Sequence, residues 1–251
     1  MLPGFPPAGR LSVGRFTTGG LLLHTVSVWW RNAPAFAAVA LVVQLPLAAL
    51  ELHAGETDDP LGSGLLPVFG WFLGLLASGA LAHGVLRTLA GGRPGPGEML
   101  ATAARRLWPL FSVAALYGLT VVAGLFLLLV PGLVAMAGGY LAIPMVVEDP
   151  ALGTERALRR SWALTQGHRV ALVLAVAILL GLQLLAVVGT DQLITRAGVT
   201  QGPLAVGIAT AVNAVLVSFT SSCAAVAYHD LRALREPRSQ TAAKNPSVPW
   251  R

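Results

Sequence analysis

Charged residues are scarce in this sequence. Asp, Glu, Lys and Arg together make up 28 of the 251 residues, or 11%, whereas soluble domains average about 25%. Apolar residues make up 55%. A soluble globule of this composition would expose large apolar patches, which monomeric proteins avoid, and intrinsic disorder requires low hydrophobicity and high charge. Both classes are excluded, and the composition predicts an integral membrane protein.

The sequence also lacks the residue sets of metal centres and of common enzymes. Its one cysteine, Cys223, excludes a disulfide within the chain and any multi-cysteine metal site. The five histidines are scattered, and no two of them have a metal-ligand spacing. No Ser-x-x-Lys, Gly-x-Ser-x-Gly, Walker or His-Glu-x-x-His pattern occurs. We therefore expect no catalytic residue, no metal site and no cofactor, and a membrane-embedded enzyme is the least favoured class.

Long apolar runs are what the sequence has instead. A helix needs about 20 mostly apolar residues to cross the hydrocarbon core of a bilayer, which is about 30 Å thick. The uncharged run 107–147 is too long for one span, and Val130-Pro131-Gly132 divides it with a turn signal. We interpret this run as a hairpin of two helices. The six predicted spans are 33–50, 65–86, the two arms of the hairpin, 170–189 and 204–228.

Lysine and arginine are distributed unevenly over the connecting segments. Cytoplasmic loops carry an excess of these residues. Sixteen of the 17 lie before the first span, after the second, after the fourth and after the sixth, and only Arg196 lies on the opposite side. Both termini are therefore expected in the cytoplasm. This bias, together with attraction to anionic headgroups, explains the net charge of +6, so nucleic acid is not an expected partner.

Three segments that precede odd-numbered spans share a pattern. Residues 11–32, 94–108 and 149–167 each have a Gly or Pro within their first four positions and continue as an amphipathic, arginine-bearing stretch. In the third, Leu158 and Trp162 share one helical face, which predicts a helix lying along the membrane interface. The pattern is compatible with a threefold repeat of interfacial helix plus helical hairpin. The alternative is that basic, aromatic juxtamembrane segments are common to polytopic proteins.

Three amide side chains interrupt the predicted spans. Gln44, Gln183 and Asn213 lie about 16, 20 and 22 Å from the cytoplasmic ends of their spans, at a rise of about 1.5 Å per residue. Because lipid offers amides no partners, we expect them to point into the bundle, with at least two within hydrogen-bond reach. Interhelical hydrogen bonding is the favoured interpretation. The alternative is the floor of a polar cavity in a transporter or a lipid-handling protein.

Residues 140–167 carry the most specific motif. They end a span on Tyr140, Pro144 and Glu148 and continue into Ala-Leu-x-x-Ser-Trp-x-Leu-Thr-x-Gly, while Tyr-His-Asp-Leu-Arg ends the last span at 228–232. This combination resembles the glycerophosphoryl diester phosphodiesterase membrane-domain family and related six-span bacterial proteins. The resemblance implies a membrane module that serves as an anchor or partner. It carries no activity over, because no stretch here supplies the carboxylate and histidine set of metal-assisted phosphodiester hydrolysis.

The charged residues of these motifs predict a cluster at the cytoplasmic rim. Glu148 closes the fourth span and Asp230 the sixth, where a partly desolvated carboxylate gains from a cationic neighbour. Arg160 and Arg232 are the expected cations, and the cluster would lock the interfacial helix in place. The alternative is that each charge is separately solvated among headgroups. The candidate functional residues of the rim are Glu148, Arg160, Ser161, Trp162, Asp230 and Arg232.

The whole sequence predicts an all-α, six-span bundle of a bacterial-type cytoplasmic (inner) membrane. Residues 1–32 are expected to form a cytoplasmic segment with an amphipathic helix, 33–235 the membrane domain, and 236–251 a flexible cytoplasmic tail. The favoured function is that of a non-enzymatic structural or interaction module. Its expected partners are anionic membrane lipids on the cytoplasmic side, with a partner protein or a second copy of the chain. The transporter or lipid-handling alternative requires a cavity that reaches the three amides from one side.

Overall fold

The computed structural model describes residues 16–57, 60–199 and 202–235, and within them every regular element is a helix. The first fifteen residues and the predicted tail, 236–251, lie outside the described residues. A short 3₁₀ helix (Pro150–Leu152) precedes α7. The α-helices are α1 (Thr18–Thr57), α2 (Pro60–Leu89), α3 (Pro96–Arg105), α4 (Leu107–Leu127), α5 (Leu129–Gly139), α6 (Ala142–Glu148), α7 (Thr154–Thr165), α8 (Arg169–Arg196) and α9 (Pro203–Arg235).

In the part of the chain that the structure describes, six helical segments are long and apolar enough to cross a membrane, which confirms an all-helical, multi-pass membrane protein. Large apolar side chains lie on the outer surface of these segments, as Phe126 does with 91% of its side-chain area exposed. Helices suit these surroundings because each helix satisfies its own backbone N–H and C=O groups, and lipid offers those groups no hydrogen-bond partners. The segments are Thr18–His53, Gly64–Leu89, Leu107–Leu127, Val130–Glu148, Arg169–Arg196 and Pro203–Arg235.

α1 is one unbroken helix of 40 residues. It passes from the predicted amphipathic stretch into the predicted first span without a break, although Pro34 and Pro46 lie inside it. Proline is tolerated in membrane helices because neighbouring groups satisfy the freed carbonyls. The first predicted repeat unit therefore has no separate interfacial helix, whereas α3 and α7 are separate helices in the second and third units. The threefold repeat stays a prediction.

The turn between the third and fourth spans lies two residues before the predicted position. Leu128 is extended (φ −169°, ψ 153°) and separates α4 from α5. Pro131 then lies in the first turn of α5, where a missing N–H costs no helical hydrogen bond. A Cβ atom on Gly124 would lie 3.0 Å from the Cα of Gly132. These glycines let the two arms of the predicted hairpin approach closely.

Consecutive long helices run in opposite directions, which gives the bundle two distinct ends. At one end, Thr18 Oγ1 donates to the carbonyl of Ala171 at 3.0 Å and joins the starts of α1 and α8. α2, α6 and α9 end there too, and α3 and α7 lie there; we call it the basic end because of its arginines. At the opposite end, which we call the acidic end, Glu51 and Asp191 lie within the last two turns of α1 and α8.

α7 packs against the bundle with the face that its sequence predicts. Leu158 and Thr165 are buried and Trp162 is half-buried. This face contacts α4, α5 and α6, so protein covers it where the sequence predicted the membrane interface. The residues on the other faces of α7 are exposed, and they include Glu155, Arg156, Arg159 and Gln166.

Candidate functional site

A cavity of about 330 Å³ lies between α1, α8 and α9 near the acidic end. This volume falls at the lower end of the range of small-molecule sites, which is about 300–1,000 Å³. Apolar side chains such as Leu47 and Val187 form much of its wall. The polar residues that line it are Gln44, Glu51, Thr190, Asp191, Thr210 and Asn213.

Two of the three predicted amides meet at this cavity. Asn213 Nδ2 donates a hydrogen bond to Gln44 Oε1 at 2.8 Å and connects α9 with α1. This contact confirms that at least two of the amides lie within hydrogen-bond reach. Both belong to the lining of the cavity, as the transporter or lipid-handling alternative requires of them.

Gln44 keeps one amide group without a partner. Its side chain is only 6% exposed, and its Nε2 atom is buried with no hydrogen bond in the described part of the chain. Whichever way the two amides are turned, one terminal atom of Gln44 points away from Asn213. A buried polar group left unpaired costs about 1–3 kcal/mol, so the fold holds this group at a cost.

Gln183 is not part of this site. It is half-buried on α8, but the first residue of α8 in the cavity lining is Val187, one helical turn nearer the acidic end. The similar depth that the sequence predicts for the three amides is therefore not enough to bring Gln183 into the cavity. The first span was predicted to start at residue 33, but α1 begins at Thr18, whose hydroxyl bonds to Ala171 of α8. Gln44 therefore lies 26 residues beyond this contact and Gln183 only 12.

Two carboxylates line the same cavity, and neither was assigned to a site from the sequence. Glu51 lies two turns after Gln44 on the same face of α1, and Asp191 lies on α8. Among the described residues, neither carboxylate has an ion-pair partner. The sequence did not identify them because the predicted spans end at residues 50 and 189, just before each charge. Residues 44, 48 and 51 follow the spacing i, i+4, i+7, which places them on one face of a helix. This spacing is the signal in the sequence that connects Glu51 with Gln44.

At the basic end, Glu148 forms the ion pair that the sequence led us to expect at the cytoplasmic rim. Arg232 Nη1 lies 2.6 Å from both carboxylate oxygens of Glu148. The Tyr228 hydroxyl donates to the same carboxylate, and Arg232 lies 3.3 Å from that hydroxyl. The charge of Arg160, which is half-buried on α7, also acts on Tyr228. These contacts tie the end of α6 to the last turns of α9.

Asp230 has a partner that the sequence did not identify. His24 Nδ1 of α1 lies 2.9 Å from Asp230 Oδ2, and His229 Nδ1 lies 3.3 Å from Oδ1. His24 precedes Asp230 by 206 positions, so only the antiparallel contact between α1 and α9 brings them together. Asp230 thus secures α1 to α9, whereas the predicted cluster placed it beside Arg160 and Arg232.

Ser161 and Trp162 support a break in the fourth span. The helix is interrupted at Tyr140 and Leu141, between α5 and α6. Ser161 Oγ donates to the carbonyl of Gly138 at 2.5 Å and accepts from the Leu141 N–H at 3.3 Å. The Trp162 ring lies so close to Gly138 that a Cβ atom there would be 2.7 Å away. Both residues therefore have a structural role in this protein.

A second cavity, of about 460 Å³, lies beside α7 at the basic end. The Arg169 guanidinium lies 4.6 Å from the centre of the Trp162 ring and donates to the Trp162 carbonyl at 3.4 Å. Its Nε atom is buried and has no hydrogen-bond partner in the described part of the chain. Arg159 and Leu116 also line this groove. Its wall is therefore cationic at Arg159 and Arg169 and apolar at Leu116.

Among the described residues, no group of three His, Cys, Asp or Glu side chains is placed to hold a metal ion. The chain has no match among known protein families, curated proteins or solved structures. Its own residues therefore carry the functional argument.

Proposed function

We propose that this chain is a membrane protein without catalytic machinery that binds a small polar ligand in the cavity between α1, α8 and α9. The observation that carries the proposal is the buried, unpaired amide of Gln44, a residue that lines the cavity. A ligand that pairs with this amide would recover the cost of burying it. This function belongs to the transporter or lipid-handling class.

The cavity supports binding from one side of the membrane. Towards the basic end, α1 buries Val43, Val39 and Phe36 in the core. An apolar floor of this kind favours a binding or lipid-handling role, since a transport cycle would need these packed helices to move apart.

We place the protein in a bacterial-type cytoplasmic membrane with both termini in the cytoplasm. The arginines of the connecting segments support this orientation, because cytoplasmic loops carry the excess of basic residues. The acidic end and the mouth of the cavity then face the outside.

The test is a thermal-stability screen of the purified chain in detergent. Cationic, zwitterionic, neutral and anionic solutes and lipids are each added to the wild type and to two variants. Ala209 lines the cavity, whereas Ala211 on the same helix is exposed and lies outside the lining. At least one class of compound should raise the Tm of the wild type and of Ala211→Phe but not of Ala209→Phe. The proposal fails if no class makes this distinction.

A second candidate function is that of a structural or interaction module with its contact surface at the basic end. The observation that favours it is the groove where Arg169 stacks on Trp162 beside Arg159. Cationic groups next to an apolar wall suit an anionic lipid headgroup and its chain. The resemblance of residues 140–167 to the glycerophosphoryl diester phosphodiesterase membrane domains supports the same module, with a partner protein or a second copy bound to it.

Crosslinking in native membranes tests this second candidate. Arg159 is exposed and lines the groove at the basic end, and Arg196 is exposed at the acidic end. A specific partner should be lost from Arg159→Glu and retained by Arg196→Glu. Equal recovery of the partner with both variants would contradict a contact surface at the basic end.

A further inference from the structure

We infer that the ligand of the cavity between α1, α8 and α9 carries an ammonium group that Glu51 and Asp191 recognise. The inference rests on the proposed function and adds to it the chemical class of the ligand. Three features of the site support an ammonium ligand: the sign of its charge, the position of its unpaired amide and its size.

The charge of the lining is negative. Glu51 and Asp191 both line the cavity, and its lining includes no Lys, Arg or His. Neither carboxylate has an ion-pair partner among the described residues. Both carboxylates are exposed at the mouth of the cavity, so a cation bound there gains from two negative charges, whereas an anionic ligand would be repelled by them.

The unpaired amide lies deeper than the carboxylates. Gln44 precedes Glu51 by seven residues, or about 10 Å along α1. A ligand whose ammonium group binds at the mouth can therefore place a polar oxygen near Gln44 Nε2. The hydroxyl of Thr210, which is also in the lining and buried, lies in the same part of α9 as Asn213. The site thus favours a molecule with a cationic end and a hydrogen-bonding end.

The volume limits the size of this molecule. At about 330 Å³, the cavity lies at the lower end of the range of small-molecule sites, which is about 300–1,000 Å³, so it suits a small ligand. Both a free amine with a hydroxyl group and the ammonium headgroup of an aminophospholipid present the required chemistry at this size. The experiment therefore has a soluble arm and a lipid arm.

The soluble arm uses three probes that differ only at one end: 5-amino-1-pentanol, 1,5-pentanediol and 5-hydroxypentanoate. We expect the ammonium probe to bind the wild type at least about tenfold more tightly than the neutral probe, since a charge-assisted contact is stronger than a neutral one. The anionic probe should bind most weakly. Binding is measured by isothermal titration and by the rise in Tm.

The lipid arm uses nanodiscs of phosphatidylethanolamine or phosphatidylglycerol, in which the Tm of the chain is measured without added probe. A higher Tm in phosphatidylethanolamine that depends on Glu51 and Asp191, without a response to 5-amino-1-pentanol, would assign the ammonium group to a lipid. A response to the soluble probe alone would assign it to a free amine. Either result supports an ammonium ligand.

Variants separate this inference from the proposed function. Glu51→Gln and Asp191→Asn should each remove the preference for the ammonium probe or lipid, and Glu155→Gln, an exposed carboxylate at the basic end, should keep it. If a neutral or anionic compound binds best and only Ala209→Phe abolishes that binding, the proposed function stands and the ammonium inference falls. If no probe or lipid distinguishes the wild type from Ala209→Phe, both fall.

Discussion

Ser161 shows how a single hydroxyl can stabilise an interrupted membrane helix. It is 0% exposed, and its Oγ atom serves both the carbonyl of Gly138 and the N–H of Leu141. Lipid cannot satisfy such groups. The sequence identified Ser161 as part of a motif, but its role depends on α7 folding back over the break, which no local pattern encodes.

Ser161→Ala should lower the stability of the protein by about 1–3 kcal/mol, because it leaves two buried backbone groups unpaired. Ser112→Ala is the matched control, since Ser112 is bonded only within its own helix, to the Trp108 carbonyl at an exposed position. Thermal unfolding in detergent, followed by tryptophan fluorescence, compares the two. Equal loss of stability in both variants would contradict the role assigned to Ser161.

Functional residues could be predicted where the local sequence was sufficient, and could not be predicted where their contacts depend on residues far away in the chain. Gln44 and Asn213 were recognised because an amide within an apolar run needs a partner in any bundle. Glu51 and Asp191 were not, because a charge was taken to end each span. His24 and Asp230 could not be paired from the sequence, since their contact depends on the register of α1 against α9.

Among the helices, the number of spans was predictable from length, hydropathy and one turn signal, but the breaks within a span were not. Pro144 lies four residues after Tyr140, and its ring conflicts with that carbonyl in a continuous helix, which accounts for the break between α5 and α6. Pro34 interrupts the helical hydrogen bonds in the same way, yet α1 continues through it. Contacts with neighbouring helices decide between these outcomes, and the sequence does not display them.

α3 is attached to α2 by a contact that depends on pH. A hydrogen bond from His83, at 3.3 Å, lowers the pKa of Glu98, and Arg87, at 3.4 Å, acts in the same direction. A lowered pKa means that the folded protein favours the carboxylate. The resulting stabilisation is present at neutral pH and is lost as the pH falls through the pKa of the folded state.

Acidification from about pH 5 to about pH 3 should therefore destabilise the wild type more than Glu98→Gln, which has no carboxylate to protonate at this position. The difference should be small because the side chain of Glu98 is exposed. The Tm of both proteins is measured across this range. Parallel pH profiles would show that the contact with His83 does not stabilise the attachment of α3.

Over the whole molecule, the distribution of charge connects orientation with function. The arginines collect at the end that carries α3 and α7, and the unpaired carboxylates lie at the opposite end, where the cavity is. The positive-inside rule concerns only the arginines. If it holds here, the ligand reaches the cavity from outside the cytoplasm, so a topology measurement also decides which solutes can reach it.

Single-cysteine labelling in intact cells measures this orientation. Ala197 follows α8 at the acidic end, Gly95 precedes α3 at the basic end, and both are exposed. The wild type is the unlabelled control, because Cys223 is buried. A membrane-impermeant maleimide should label Ala197→Cys in intact cells and Gly95→Cys only after permeabilisation. The reverse result would mean that the cavity faces the cytoplasm. The ammonium ligand would then have to be a cytoplasmic molecule or an inner-leaflet lipid.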